Sequence, residues 1–313
     1  MAVQTPDVVR LVQGVCPVLE VPFHEDGQID VEGFGRVVRH VLMTGVSAVM
    51  FPGFASEFAK LADCERDALC RVLLDHTTKR ADVAAIVSVP DHSTHLAVQR
   101  ACAAVEAGAD MINVLPPYQL SPPRREVLAH VQAVLSAVAP TPVVLQYAPT
   151  QTGTALDAQM ICRLASDHDN LRLVKVESQP PGALIDALRT GEPSVASLVG
   201  YGGIQVIDAV RRGAVGVQPG CSFVELYVDL WSHLARGQWN AAQDLHRRLL
   251  PYLSYWMQSV ELIVAAEKLI SYRRGMFATP VCRAPAYRLD ADEVEMIERF
   301  LEEFGPRLLR VVA

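Results

Sequence analysis

The chain has 313 residues, half of them apolar and a fifth charged, with a net charge of −7 at neutral pH. That is enough to bury one large core and too little for several independent enzyme domains. Basic residues are scattered, and pairs such as Arg211-Arg212 and Arg273-Arg274 are short, so no nucleic-acid footprint is expected. The seven cysteines are an odd number, widely spaced, without a CxxC pair or zinc-finger spacing. They read as thiols in a reducing compartment, with no metal site. The N-terminal stretch MAVQTPDVVRLVQG lacks a long apolar segment, and no run approaches transmembrane length, so a cytoplasmic protein without a membrane partner is expected.

Short β-branched runs alternate with longer segments carrying apolar residues at three- and four-residue spacing. In chain order, strands are expected at Pro17–Pro22, Ser47–Phe51, Val83–Val89, Met111–Leu115, Pro142–Tyr147, Leu171–Val176, Ser194–Val199 and Val215–Val217. Between them the spacing predicts helices over Val31–Met43, Glu65–His76, Thr94–Ala107, Arg125–Val138, Ala158–Ala165 and Ile204–Arg212, with a last crossover near Phe223–Ala235. Ser93 can cap the helix at Thr94, and Gly45, Gly108 and Gly213 each end a helix just before a strand. This beat implies an α/β fold, a closed (β/α)8 TIM barrel over residues 1–235. An open doubly wound sheet would want a glycine fingerprint after its first strand, where PFHEDGQID stands instead. Beyond 235 the strand signal stops, and helices are expected at Trp239–Leu250, Leu253–Ser271 and Ala291–Phe304, giving a C-terminal helical appendage over 236–313.

In such a barrel the chemistry gathers where the strands end. Lys175 is the sole lysine on any expected strand. An ammonium inside a barrel is costly to desolvate, which favours the free amine, a nucleophile toward carbonyl carbon. The plain alternative is a rim lysine paired with Glu177. That carboxylate lies two residues on, on the same face of an extended strand, and is placed either to shuttle protons or to form a simple ion pair. Glu20 interrupts an apolar run, and a solvated position is the simpler reading.

From Gly14 to about Phe304 the chain resembles the dihydrodipicolinate synthase / N-acetylneuraminate lyase family of class I aldolases. The likeness is carried by Val21-Pro22-Phe23 with Asp26-Gly27-Gln28-Ile29-Asp30, by Gly53-Phe54-Ala55-Ser56-Glu57 with Leu61 and Glu65-Arg66, and by Pro117-Tyr118. It continues through Pro149 with Thr152-Gly153, Val174-Lys175, Gly200 and the run Gly213–Val217. The resemblance implies a lyase, aldolase or dehydratase, acting on pyruvate or another small 2-keto acid through a Schiff base at Lys175, without metal or organic cofactor, in a homo-oligomer, dimer or tetramer. The implied catalytic set is Lys175, Tyr118 and Glu177, with Tyr118 crossing to a neighbouring subunit's site. The implied substrate-binding set is Gly53, Ala55, Ser56, Gln146, Gly200 and Gln218.

The departures are as specific. Where the family has a proton-relaying tyrosine three residues before the proline, this chain has Gln146, which does not titrate. Tyr147 beside it should face the other way. Gln151 replaces an arginine, Phe54 and Ala55 replace two threonines, Ser56 replaces a glycine, and Val21 replaces a threonine. Backbone N–H groups at Ala55 and Ser56, and the Ser56 hydroxyl, remain as possible carboxylate donors. A non-catalytic keto-acid binder or regulatory protein on the same fold is the second reading.

Overall fold

Eight short parallel strands form one sheet in the order β1-β8-β7-β6-β5-β4-β3-β2. They are β1 (Gly14–Val15), β2 (Ala48–Phe51), β3 (Ala84–Val89), β4 (Met111–Val114), β5 (Val143–Tyr147), β6 (Leu171–Val176), β7 (Ala196–Val199) and β8 (Gly216–Val217). A parallel bridge between Val18 and Met50 draws the two edges together, with Leu19 N–H donating to Met50 O and Met50 N–H to Pro17 O, each at 2.9 Å. The result is the (β/α)8 barrel. The computed structural model that gives it describes residues 12–78, 80–154 and 156–311. The N-terminal segment read above as leaderless lies largely outside those residues.

Helices return the chain between strands: α1 (Val31–Met43), α2 (Asp63–Thr77), α3 (Thr94–Glu106), α4 (Arg124–Val138), a single turn α5 (Pro149–Thr152), α6 (Ala158–Asp167), α7 (Gly182–Thr190), α8 (Val206–Arg211) and α9 (Val224–Ala235). Three more follow, α10 (Trp239–Trp256), α11 (Val260–Arg273) and α12 (Ala291–Phe304). Caps sit where short polar side chains precede apolar periodicity. Asp30 accepts from Gly33 N–H at 2.7 Å, Ser93 from Leu96 N–H, Asp157 from Met160 N–H and Ser259 from Leu262 N–H.

Period-two alternation divides the apolar residues into two cores. Cys16, Val18, Ala48, Met50, Ala84, Ile86, Met111, Val144, Leu173 and Leu198 fill the barrel interior. Their sequence neighbours, such as Val49, Phe51, Val143, Val174 and Val199, face outward into a larger layer shared with the helices. Burying each of these outward side chains contributes about 1.5–3 kcal/mol.

Most expected bounds hold to within two residues, and the larger departures lie in the first strand, after β6 and at Pro251. The first strand begins earlier than Pro17–Pro22, because alternate N–H groups of Gly14, Cys16 and Val18 donate to Val215, Val217 and Pro219 carbonyls, and Pro17 has none to donate. Helix α7 fills the crossover between β6 and β7, for which the sequence reading delimited no helix. Helix α10 runs straight through Pro251 to Trp256, because Leu249, Leu253 and Trp256 all pack into the core, and the break comes instead at Met257–Ser259.

Candidate active site

Alternation along the strands sets which side chains meet at the barrel mouth. Interior residues of β6 run Leu173, Lys175, Glu177, and those of β5 run Val144, Gln146, with Gln146 directly opposite Lys175 in the ladder. On β3 and β4 the interior positions next toward the mouth are Ser88 and Asn113, also register partners. One polar layer therefore caps an otherwise apolar interior.

Lys175 is 3 % exposed, and its Nζ lies 3.2 Å from Glu177 Oε1. An ammonium removed from water without a partner costs several kcal/mol, so the carboxylate is what permits it here. Glu177 is held in turn: Gln146 Nε2 donates to its Oε2 at 2.7 Å, and Tyr201 N–H approaches its Oε1 at 3.5 Å. Gln146 accepts from Asn113 Nδ2 at 3.0 Å, and the same amide donates to Ser88 Oγ at 2.8 Å. Gln146, an amide that does not titrate, thus orients Glu177 without carrying a proton. Tyr147 lies half-buried on the other face, against the helical layer.

Above this layer Lys175 and Glu177 open into a cavity of about 70 Å³, bounded further by Phe54, Ala55, Gln151, Tyr201, Gln218 and Glu267. Gln218 is buried, its amide N–H groups reach only the Cys16 and Met50 sulfurs, and its Oε1 has no partner among the described residues. Burial pushes the Cys16 thiol up to about 12, outweighing the Gln218 contact and the Lys175 charge, so the sulfur stays protonated. Glu267, from α11, forms the opposite wall, and behind it sits Glu20. Both carboxyls are buried, and burial raises both above the usual carboxylate range. Ser271 Oγ donates to Glu20 Oε2 at 2.6 Å. Glu20 is therefore not solvated, contrary to the simpler sequence reading. The chain past Val18 leaves the sheet and turns that side chain inward toward α11.

The other expected residues divide. Ala55 and Gln218 line the cavity with Lys175 and Glu177, and Gln146 supports them from below. Gly53 and Gly200 make room: a Cβ on Gly53 would lie 2.7 Å from Val18 Cγ1, and one on Gly200 would lie 2.4 Å from Glu177 Cγ. Ser56 is fully buried and turned away. Its hydroxyl donates to Leu19 O and accepts from Gly53 N–H, and its own N–H donates to Gly53 O, so neither group remains for a substrate carboxylate. Tyr118 lies apart from the cavity. Its ring meets His92 edge-on at 4.5 Å, and it borders a separate hollow with Arg124 and Thr152–Thr154.

Sequence reading passed over Ser88, Asn113 and Glu267. A signal for the last existed, because Glu267-Lys268 interrupts the apolar run Leu262–Ile270 with two adjacent charges. Lys268 is also buried, but it pairs with Glu57 and its Nζ lies 4.0 Å from the centre of the Phe23 ring, outside the cavity. Among the described residues, no three His, Cys, Asp or Glu side chains are grouped to hold a metal ion, and no helix is long and apolar enough to cross a membrane.

The same architecture recurs in solved proteins. Dihydrodipicolinate synthase from Rhodopseudomonas palustris superposes with a TM-score of 0.84 at 24% identity, covering 95% of this chain and 98% of its own. A prophage protein of the dihydrodipicolinic acid synthase family from E. coli K12, solved in complex with pyruvate, does so at 0.84 and 23%, covering 94% and 98%. In sequence, the chain is 26% identical over 306 residues to the L-2-keto-3-deoxyarabonate dehydratase of Azospirillum brasilense, covering 95% of this chain and 96% of that protein. It is 29% identical over 293 residues to the 4-hydroxy-tetrahydrodipicolinate synthase of Acidothermus cellulolyticus, covering 93% and 94%. The profile of the dihydrodipicolinate synthetase family matches residues 11–304, and the chain belongs to that family of lyases.

Proposed function

We propose that this protein is a lyase acting on a small 2-keto acid through a Schiff base at Lys175. The observation that carries the reading is a buried amine on the interior face of β6, opening into a small cavity and paired with one carboxylate, Glu177. Glu177 accepts the proton that Lys175 must lose before its Nζ adds to the keto carbon. Glu177 returns that proton to the carbinolamine hydroxyl, which leaves as water and gives an iminium ion, an electron sink that acidifies the neighbouring carbon, and the freed Glu177 carboxylate lies on the same face to take the carbon-bound proton. The substrate carboxylate is expected against the Phe54–Ala55 backbone. The apolar Phe54 and the amide of Gln151, where the family has threonine and arginine, fit a different substrate from that of the dipicolinate synthases. A homo-oligomer belongs to this reading, with Tyr118 on a surface away from its own subunit's cavity.

The test is reductive trapping. Incubation with pyruvate and borohydride should add one reduced pyruvate to Lys175 and to no other lysine, and Lys175→Ala should lower turnover by at least about a thousandfold. A variant retaining full activity would refute the mechanism. The second reading, a keto-acid binder without turnover, is favoured by one observation, the non-titrating Gln146 in the relay position. It predicts an adduct at Lys175 without product formation from any 2-keto acid.

A further inference from the structure

A second hollow, of about 580 Å³ against about 70 Å³, adjoins the Lys175 cavity. It lies between the loop after β6 (residues 178–181), the turn after β7 and the end of α10 at residues 254–258. Tyr201 and Met257 border both spaces, so the two residues form a partition between them.

That partition is held under backbone strain. Tyr201, Gly202 and Gly203 follow one another with φ of 55°, 61° and 70°, a left-handed region that suits glycine and not tyrosine. A side chain persists there only where its surroundings fix it. Two contacts do so. The Tyr201 hydroxyl donates to Met257 O at 3.3 Å, and its N–H approaches Glu177 Oε1 at 3.5 Å. Gly202 leaves no slack, since a Cβ there would lie 3.1 Å from both Met257 Cγ and Sδ. One residue thus bonds the carboxylate beside Lys175 and borders the second hollow.

The lining of that hollow is of one kind. Val176, Val199 and Pro181 are buried in its floor, with Ile204 half-buried beside them. Gln179 and Gln205 stand exposed at its rim, and among the described residues none around it carries a charge. An apolar floor under a neutral polar rim is the usual make-up of a small-molecule site. It offers nothing to pair with a carboxylate or phosphate on a ligand, whose desolvation would go uncompensated.

We propose that this hollow is the subsite for the distal end of the substrate, and that it selects 2-keto acids bearing an uncharged apolar group, alkyl or aryl, on C4. This rests on the Schiff-base reading of Lys175. Continuity with the Lys175 cavity across Tyr201 and Met257 assigns the occupant. Strand order supplies the direction, because β7 is the neighbour of β6 and β2 stands across the barrel from it. A keto acid joined to Lys175 at C2, with its carboxylate against the Phe54–Ala55 backbone after β2, extends from C3 onward on the β6–β7 side. The first larger space on that side is the hollow behind Tyr201. An aryl group there would meet an aromatic ring and the Met257 sulfur, both favourable neighbours. Tyr201 and Met257 are then the specificity-determining pair.

The test uses the full-length protein and borohydride trapping, reading the concentration of each 2-keto acid that half-labels Lys175. The series is pyruvate, 2-oxohexanoate, 2-oxo-4-phenylbutanoate, 2-oxoglutarate (a carboxylate on C4) and a polyhydroxylated 3-deoxy-2-keto hexonate. The phenyl acid should half-label at a concentration at least about tenfold below pyruvate, with 2-oxohexanoate between them and 2-oxoglutarate above. Ser254→Trp, from the exposed face of α10, fills the hollow, and Ile204→Glu charges its floor. Pyruvate is the reference in each protein, which cancels differences in intrinsic carbonyl reactivity, and its label also reports a folded site. In both variants the advantage of the phenyl acid over pyruvate should shrink at least about fivefold. A flat response across the series, as a hollow covered by a second copy of the chain would give, would overturn the proposal and leave the Schiff base standing. So would a preference for 2-oxoglutarate or the hexonate, or an advantage that survives both substitutions. Absence of any Lys175 adduct would instead remove the reading beneath it.

Discussion

Gly200 and Glu177 occupy touching space: a Cβ on the glycine would lie 2.4 Å from Glu177 Cγ and 2.8 Å from its Oε1. The last residue before the turn after β7 therefore fixes the position of a carboxylate on β6. Gly200→Ala should displace Glu177 from Lys175 with little effect on the barrel. A shift of about 1 Å in a reacting group costs on the order of a hundredfold in rate. The expected outcome is a fall in kcat of that size with an unchanged melting temperature, measured on whichever keto acid proves to be turned over.

Gln146 joins two strands' worth of polar groups, accepting from Asn113 and donating to Glu177. Gln146→Leu keeps the volume and removes both bonds. Asn113 Nδ2 retains Ser88, but Glu177 Oε2 is left buried without its donor at 2.7 Å. About 1–3 kcal/mol of stability should be lost, read as a lower denaturant midpoint at unchanged slope.

His130 ties acidity to stability. Its ring projects from α4 and is buried, one nitrogen meeting Thr94 Oγ1 at 3.0 Å, and burial with a smaller contribution from His92 lowers it to about 4 from 6.5. The folded state therefore binds this proton less readily than the unfolded chain. Stability is complete above about pH 6.5 and is lost as the pH falls toward 4, by at most about 3 kcal/mol. His130→Gln cannot titrate, and urea midpoints measured between pH 7 and 4 should fall less steeply for it than for the wild type.

Lys268 offers a contrast with Lys175. Both are buried lysines beside a glutamate, but Lys268 donates to Val281 O at 3.0 Å and packs on Phe23, away from the cavity. Lys268→Met should destabilise the protein by about 3 kcal/mol, since it strips a buried carboxylate of one partner. Pyruvate labelling at Lys175 should persist. Peptide mapping after borohydride reduction separates the two lysines.

The barrel was legible because its signals are local and repeated. Strands such as Val83–Val89 and Leu171–Val176 carry short, largely apolar runs with several valines, and the helix at Val31–Met43 has its expected bounds. Lys175 with Glu177 at its side was legible for the same reason, since two residues along a strand is a fixed geometric step. What was hidden depends on contacts between distant segments. Glu20 and Glu267 are separated by the whole barrel and meet only because α11 folds back over the mouth. Ser56 resembled an available hydroxyl until the carbonyl of Leu19 was brought to it. The Pro251 boundary failed because burial of Leu249, Leu253 and Trp256 outweighed a local breaker.

The row Ser88, Asn113, Gln146 has an electrical consequence as well as a geometric one. Amides can pass a hydrogen bond along, but they do not give up or accept a proton near neutrality. Where a tyrosine would make that row a conductor, Gln146 makes it an insulator, sealing Glu177 from below. Under the proposed function, protons exchanged by the Lys175 chamber would cross its open side, past Tyr201 and Glu267, and a bound substrate would close that route to bulk water.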